Sequence, residues 1–376
     1  MVQGLRMTPH PSDQVGSPLG SSLQPTYLFP NLIGEIGVER VVESEGLYTR
    51  FYGCLAGVAI GDAMGMPTAG YAPEEIAERF GVVEDFLDAP MDHPFHGGLR
   101  RGEMTDDTEL TLLVVDMILR DESPSAEGMA RRLVGWAMER GVLEMGVIGP
   151  STRRALQELL RGGDPRETGR WGTTNGAAMK IAPIGLLHPG EPEEVVRDVV
   201  EVCLPTHGTS VAISAASAIA GAVAEALNPH SSLESIVEAA IRCAELGERH
   251  GRRVQKPSIA ERIGLALSLT EGLEPPRAAG VLYTRIGADM RCENSIPTAI
   301  ALFHSARGEP MTAILSAVNM GGDTDTIASM TGAIAGAYRG IDAFPEEAVR
   351  LVEEVNDIRL GELASALVER VSRCST

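Results

Sequence analysis

The sequence predicts an all-α protein. From Leu47 onward, apolar residues return at three- and four-residue spacing, whereas the alternation typical of strands is scarce. Only 4% of the residues are aromatic and 42 of the 376 are glycine, so few side chains favour strands. We therefore expect a helical protein with closely packed backbones.

Helix follows helix along the chain, with turn signals between them. The helix after residue 108 is typical, since its apolar face carries Leu110, Leu113, Val114, Met117 and Ile118. Turns are indicated at Gly162-Gly163-Asp164-Pro165, His188-Pro189-Gly190, Asn228-Pro229 and Pro275-Pro276. Further helices are predicted at about 126–140, 152–161, 192–203, 209–227, 232–248, 258–271, 296–306, 310–318, 325–338, 345–355 and 359–371. No low-complexity linker interrupts residues 47–371, so one compact many-helix domain is the simplest organisation.

Two of the helical segments carry glycine at every fourth position. The glycines are Gly53, Gly57, Gly61 and Gly65 in the first segment and Gly332, Gly336 and Gly340 in the second. Residues four apart lie close to one face of a helix, and each glycine costs about 1 kcal/mol of helix propensity relative to alanine. We expect these smooth faces to permit close helix–helix contact. A compatible alternative is that they also let a ligand or metal approach the backbone beside Asp62.

The ends of the chain and its cysteines indicate a cytoplasmic protein. Residues 1–26 are polar, rich in Pro, Gly and Ser, and lack the apolar region of a secretory signal. We predict a partly disordered N-terminal extension at 1–46 and a domain at 47–376. The apolar runs near 54–60 and 327–337 are too short to span a bilayer. Five cysteines without CxxC spacing indicate neither a disulfide framework nor a zinc site.

The formal net charge of −20 argues against a surface that binds nucleic acid or anionic lipid. Phosphate-binding glycine motifs are also missing, because the sequence has no GxxxxGK[ST] and no strand precedes the glycines near Asp62. An anionic ligand would therefore need local help from metal ions or backbone N–H groups.

Two acidic turns carry the strongest chemical pattern. The first aspartate turn is Thr105-Asp106-Asp107-Thr108, and the second is Gly321-Gly322-Asp323-Thr324-Asp325-Thr326; each precedes a predicted helix. Taken alone, the first turn is best explained by Asp106 as an N-cap that forms a capping box with Glu109. A second turn of the same kind more than two hundred residues away favours a shared site. Carboxylate and hydroxyl oxygens suit Mg²⁺, Mn²⁺ or Ca²⁺, and the EF-hand spacing is absent.

Further polar residues lie in predicted loops and helix starts. Thr173–Lys180 resembles a helix start whose free N–H groups suit phosphate or sugar hydroxyls, although Asn175-Gly176 is also an ordinary turn dipeptide. Thr206-His207-Gly208 is expected to open a helix, where His207 is either structural or a substrate contact. His93 and His96 have a spacing compatible with a metal, but no further His or Cys supports zinc, so we interpret them as loop residues near the site entrance.

Six motifs, taken in their order along the chain, resemble those of the ADP-ribosylglycohydrolase family. They are Gly61-Asp62-Ala63-Met64-Gly65, the first aspartate turn, Asn175-Gly176-Ala177, Thr206-His207, Asn294-Ser295-Ile296-Pro297-Thr298-Ala299, and the second aspartate turn followed by Ala333-Ile334-Ala335-Gly336-Ala337-Tyr338. The likeness covers about residues 47–371, and the second aspartate turn is its most specific element.

The resemblance implies an orthogonal helix bundle with two divalent cations, Mg²⁺ or Mn²⁺, in a cleft. The implied metal ligands are Thr105, Asp106, Asp107, Asp323, Asp325 and Thr326. Asp107 would also steer the attacking water. The implied substrate-binding residues are Asp62, Asn175, Gly176, Ala177, His207, Ser295, Gly321, Gly322 and Thr324. The implied reaction is hydrolysis of the glycosidic bond between ADP-ribose and an acceptor, such as an arginine or serine side chain of an ADP-ribosylated protein.

The sequence departs from the family pattern on the substrate side. Relatives commonly carry a glutamate at the position of Ala69, and arginine is frequent at that of Lys180. Glu74 and Glu75 follow shortly and are weak substitutes, because acids on helix surfaces are common. Two alternatives therefore stay open: a hydrolase of small N-ribosyl compounds such as nucleosides, and an inactive protein that binds ADP-ribose or has a structural role.

Overall fold

Helices and connecting loops make up residues 42–374 without 122 and 146–147, which are the residues described by a computed structural model of the protein. Within these residues there are isolated β-bridges but no strands, so the all-α prediction is confirmed. The predicted extension lies outside the described residues up to residue 41. Residues 42–46 already belong to the first helix, so the helical region begins at Val42 and not at Leu47.

The α-helices follow one another along the described part of the chain. In order they are α1 (Val42–Gly65), α2 (Pro73–Phe80), α3 (Asp106–Arg120), α4 (Ala126–Arg140), α5 (Val142–Met145), α6 (Pro150–Leu159), α7 (Ala182–Leu187), α8 (Pro192–His207), α9 (Ser210–Ala226), α10 (Leu233–Gly247), α11 (Ile259–Thr270), α12 (Pro275–Arg285), α13 (Cys292–Ser305), α14 (Pro310–Val318), α15 (Thr324–Arg339), α16 (Glu346–Asn356) and α17 (Leu360–Cys374). Short 3₁₀ turns lie at Met66–Thr68, Asn175–Ala177 and Ile341–Ala343.

Four helices were not expected from the sequence: α2, α5, α7 and α12. Three of them, α2, α7 and α12, have a proline in their first turn. The pair Pro275-Pro276 predicted a turn, but it begins α12 because proline has the backbone angle of a helix and needs no N–H partner at the first position. A second correction concerns His207, which ends α8 and does not open α9; Thr209 is the N-cap of α9.

The centre of the fold is α9, in which every residue from Ser210 to Ala226 except Glu225 is buried. Alanine gives this segment a high helix propensity, and an almost continuous run of small and apolar side chains is typical of a helix enclosed on all sides. The helices α7, α8, α10, α13 and α15 pack around it. Among the described residues, no helix combines the length and the apolar character that crossing a membrane requires.

The glycine faces of α1 and α15 lie directly against each other, so the predicted close contact is confirmed. A Cβ atom added at Gly57 would lie within 3.0 Å of the backbone of Gly332. One added at Gly336 would meet the backbone of Gly53 in the same way. Side chains larger than hydrogen are therefore excluded along this contact, and the two backbones fix each other's position.

We predict that Gly57→Ala lowers the free energy of unfolding by about 1–3 kcal/mol or more, because the added methyl group overpacks a rigid contact. Urea denaturation monitored by circular dichroism measures the change. The matched control is Gly46→Ala in the same helix, where a Cβ meets no atom of the described residues within 4 Å. There the higher helix propensity of alanine should raise stability by up to about 1 kcal/mol. Equal effects of the two substitutions would contradict the contact.

Candidate metal and substrate site

The first aspartate turn forms the start of α3. Thr105 is the N-cap, and its hydroxyl accepts a bond of 3.4 Å from the N–H of Asp107. The capping box expected for Asp106 and Glu109 is absent, because Glu109 accepts a hydrogen bond of 2.6 Å from the indole of Trp136 and pairs with Arg140. The first turn of α3 is thus capped by threonine, which leaves both aspartate side chains free for other partners.

The carboxylate of Asp62 holds this turn in place through hydrogen bonds. It lies on α1 with no exposed surface, and its Oδ2 accepts hydrogen bonds from the N–H groups of Thr105 (2.9 Å) and Thr108 (3.1 Å). The hydroxyls of Thr105 and Thr108 also donate to this carboxylate, at 2.7 Å and 2.5 Å. Its observed contacts are therefore with the start of α3, and its role in substrate binding stays a prediction.

The second aspartate turn depends on two glycines. Gly321 and Gly322 have φ angles of +84° and +86°, a region that other residues rarely adopt. Gly322 forms backbone hydrogen bonds with Gly70 (2.7 Å) and Tyr71 (2.9 Å). Asp323 is then the N-cap of α15, and Asp325 lies in its first turn. Thr324 points away from the aspartates, because its hydroxyl bonds to the carbonyl of Gly65 at 2.9 Å.

The two turns meet although they are far apart in sequence. The hydroxyl of Thr326 donates to Oδ2 of Asp107 at 3.2 Å. Oδ1 of Asp107 is buried, and no described residue forms a hydrogen bond with it. Burial first, and then repulsion by neighbouring carboxylates, raises the pKa of Asp106 and of Asp323 to about 7. The same causes raise the pKa of Asp107 well above its usual value. Burial and mutual repulsion therefore make the ionised form of these carboxylates unfavourable unless positive charge is brought close to them.

The donor set fits a divalent cation. As they stand, no three histidine, cysteine or acidic side chains among the described residues converge closely enough to hold a metal. The aspartates are engaged instead by other side chains, as Asp323 is by Asn175. However, four carboxylates and two threonine hydroxyls are hard oxygen donors, and the buried free oxygen of Asp107 is the kind of group that a cation satisfies. The predicted ligand set remains a prediction that these features support.

The 3₁₀ turn at Asn175–Ala177, which we call the Asn175 turn, lies beside the second aspartate turn. The side-chain amide of Asn175 donates to Oδ2 of Asp323 at 2.6 Å and to the hydroxyl of Ser295 at 3.1 Å. Gly176 and Ala177 are buried in the same turn. Asn175 and Ser295 therefore lie next to Asp323, while contact of any of these residues with substrate stays a prediction.

Lys180 and His207 support the Asn175 turn from inside the protein. Lys180 has no exposed surface, and its Nζ donates to the carbonyl of Gly176 at 2.7 Å; burial lowers the pKa of Lys180 to about 8. His207 is equally enclosed, with its ring nitrogens 2.9 Å and 2.8 Å from the hydroxyls of Thr174 and Thr206. Burial lowers the pKa of His207 well below its usual value. In this arrangement neither side chain is open to a ligand, so both would act on it through the turn.

Comparisons with known proteins identify the family. Residues 43–376 match the model of the ADP-ribosylglycohydrolase family. The chain belongs to this family.

Its relatives resemble it over most of their length. An uncharacterized protein of Escherichia coli, YegU, is 31% identical over 85% of this chain and 96% of its own length. ADP-ribosylhydrolase ARH3 of Homo sapiens is 27% identical over 79% of this chain and 87% of its own. A solved structure described as an ADP-ribosylglycohydrolase-related protein complex has a TM-score of 0.62 and 25% identity, covering 87% of this chain and 99% of that one. The fold and the hydrolase class follow from these matches.

Ala69, where the resemblance led us to expect a glutamate, offers only a methyl group. It is buried, and the next residue, Gly70, is bonded to Gly322. Glu74 and Glu75 are exposed, and Glu75 caps α2 by accepting a hydrogen bond of 2.9 Å from the N–H of Ala72. The observed contacts thus give Glu75 a structural function at the start of α2.

Sequence reasoning missed one residue of this candidate site. The interpretation of His96 as a loop residue at the entrance is incomplete, because its Nε2 lies 3.0 Å from Oδ2 of Asp325 and only 9% and 8% of the two side chains are exposed. Burial alone would lower the pKa of His96, and the bond to Asp325 together with the other aspartates raises it above the usual value. The spacing of His93 and His96 was the only signal in the sequence, and the partner of His96 lies 229 residues away.

We predict that Thr108→Val lowers the free energy of unfolding by about 1.5–3 kcal/mol, because it deletes a hydrogen bond to the buried carboxylate of Asp62. The control is Thr111→Val, one turn further along the same buried helix, whose hydroxyl donates to backbone carbonyls. Loss of those neutral bonds should cost about 0.5–1.5 kcal/mol. Urea unfolding of both variants measures the two losses in free energy of unfolding. A smaller loss for Thr108→Val than for Thr111→Val would be inconsistent with the anchoring role of Asp62.

Proposed function

We propose that this protein hydrolyses the glycosidic bond between ADP-ribose and an acceptor, and that the reaction depends on two divalent cations, Mg²⁺ or Mn²⁺. The observation that carries the proposal is the meeting of the two aspartate turns, with Thr326 bonded to Asp107 and one oxygen of Asp107 left free. The four carboxylates of Asp106, Asp107, Asp323 and Asp325 carry a charge that two divalent cations would neutralise. The names of the ARH3 relatives support the choice of ADP-ribosyl compounds.

The proposed ligands are Thr105, Asp106, Asp107, Asp323, Asp325 and Thr326. Bound cations would supply Lewis acidity and lower the pKa of a water at the site. The protein's own contribution is to hold the donors in place: Asp62 fixes the start of α3, and Asn175 fixes Asp323. The N-termini of α3 and α15 both face the cluster, and their partial positive charge favours the ionised carboxylates.

Hydrolysis of a ribosyl bond needs an activated water and an assisted leaving group, because the transition state resembles an oxocarbenium ion. We propose Asp107 as the carboxylate that steers the water. Its Oδ1 is buried and has no partner in the described part of the chain, so it can accept a hydrogen bond from a water without breaking an existing one. The Asn175 turn and Ser295, next to Asp323, form the proposed wall for the sugar.

A second candidate is hydrolysis of a small ribosyl compound. The observation that favours it is the enclosure of Lys180, whose Nζ is bonded to Gly176 and Thr206 and is not available to a diphosphate. Together with Ala69 at the position of a common glutamate, this alters the substrate side and leaves the carboxylate cluster whole. Substrates without a diphosphate are therefore tested beside ADP-ribosyl compounds.

For the metal, we predict that Asp325→Ala abolishes high-affinity binding of Mn²⁺ and leaves the helical fold intact, because one carboxylate of the cluster is removed. Isothermal titration calorimetry measures binding, and far-UV circular dichroism checks the fold. Asp342→Ala, at an exposed aspartate in the short turn after α15, is the control and should bind as the parent does. Unchanged affinity in the Asp325 variant would refute the assignment of the site.

For the substrate, we predict release of ADP-ribose when the protein and Mg²⁺ or Mn²⁺ are incubated with ADP-ribosyl-arginine or ADP-ribosyl-serine. A panel of nucleosides is run in parallel, and products are quantified by liquid chromatography. Turnover of nucleosides alone would favour the second candidate. Binding of ADP-ribose without any turnover would indicate a binding protein and contradict both enzyme proposals.

A further inference from the structure

Aromatic rings from the loop between α2 and α3 form a wall beside the second aspartate turn. Within it, His96 stacks on His93, with ring centroids 5.3 Å apart and planes inclined by 28°. The ring of His93 in turn meets Tyr71 edge-on at 5.1 Å. Tyr71 accepts the N–H of Gly322 in the aspartate turn itself. The histidines and the turn are therefore parts of one packed unit.

The orientation of His93 is fixed by the backbone. Its Nδ1 lies 3.2 Å from the N–H of Phe95 and 2.9 Å from that of His96, so it accepts from both and the ring proton is on Nε2. The His93 ring is buried, which keeps its position defined. Because His96 stacks on this fixed ring, its own plane is restrained and its Nε2 is directed at Asp325.

The bond between His96 and Asp325 lies on a carboxylate that the proposed function assigns to the metal. Oδ1 of Asp325 accepts the N–H of Thr326 at 2.9 Å, and Oδ2 is 3.0 Å from Nε2 of His96. One oxygen is therefore held by the backbone of α15 and the other by an imidazole N–H. Groups that hydrogen-bond a ligand carboxylate fix its direction and raise the affinity for the ion.

We infer that His96 is a positioning residue, which orients the carboxylate of Asp325 and thereby sets the affinity of the site for a divalent cation. This inference rests on the proposed function only in requiring that the aspartate cluster binds a cation. It requires no particular substrate. The loop from residue 89 to residue 99, closed by the hydrogen bond from Ala89 to Leu99, then acts as an outer support of the metal centre.

The test measures binding of Mn²⁺ to the full-length protein by calorimetry, with free Mn²⁺ followed by electron paramagnetic resonance. His96→Ala should weaken binding about 10- to 100-fold, the range found when a hydrogen-bond partner of a ligand is removed. His96→Gln places an amide N–H where Nε2 lies and should restore binding to within about threefold of the parent. In an Asp325→Asn background, His96→Ala should have little further effect, because the two groups act as one unit.

Met91→Ala is the matched control, since Met91 lies on the same loop with 80% of its side chain exposed. It should bind Mn²⁺ as the parent does. Should His96→Ala fail to fold, His96→Asn replaces it, because that amide is too short to reach Asp325. Affinity unchanged in the Ala or Asn variant, or lost equally in the Gln variant, would overturn the positioning role. A folded parent that binds no Mn²⁺ would overturn the metal proposal as well, which separates the two failures.

Discussion

The direct backbone contact between α1 and α15 is the constraint on which the site depends. Each glycine in these faces costs about 1 kcal/mol of helix propensity, so the sequence is compatible with a stable fold only if close packing offsets that loss. The contact ends at the site: a Cβ at Gly65 would lie within 3.0 Å of the backbone of Asp325. The start of α15 therefore cannot shift without disturbing the rest of α1.

The same helix also places the first aspartate turn. Asp62, one turn before Gly65, binds the start of α3, and the carbonyl of Gly65 accepts the hydroxyl of Thr324 at the start of α15. The N-termini of α3 and α15 are thus both held by hydrogen bonds to one short stretch of α1. Buried carboxylates repel one another, and only a rigid scaffold keeps them together when the attraction of a cation is not present. The glycine contact provides that rigidity.

Local patterns in the sequence were sufficient for most of this arrangement. The period of the apolar residues gave the helices, the glycine spacing gave the contact of α1 with α15, and the two Thr/Asp turns gave the cluster. The missed features are those that depend on long-range contacts or on ambiguous local chemistry. A proline pair can end or begin a helix, as at Pro275, and the partners of Glu109 and His96 lie 27 and 229 residues away. Enclosure of Lys180 beneath the Asn175 turn likewise depends on tertiary packing, which neighbouring residues do not encode.

The departure from the family pattern and the unexpected histidine lie on the same side of the site. Ala69 precedes Gly70, which is bonded to Gly322, and Tyr71 joins that turn to the ring of His93. Residues 69–71 and the loop carrying His96 thus form one wall against the second aspartate turn. The Asn175 turn and Ser295, whose residues match the family motifs, lie beside Asp323. Under the proposed function, we expect the wall that contains Ala69 to select the acceptor, because it is the wall that departs from the family motifs.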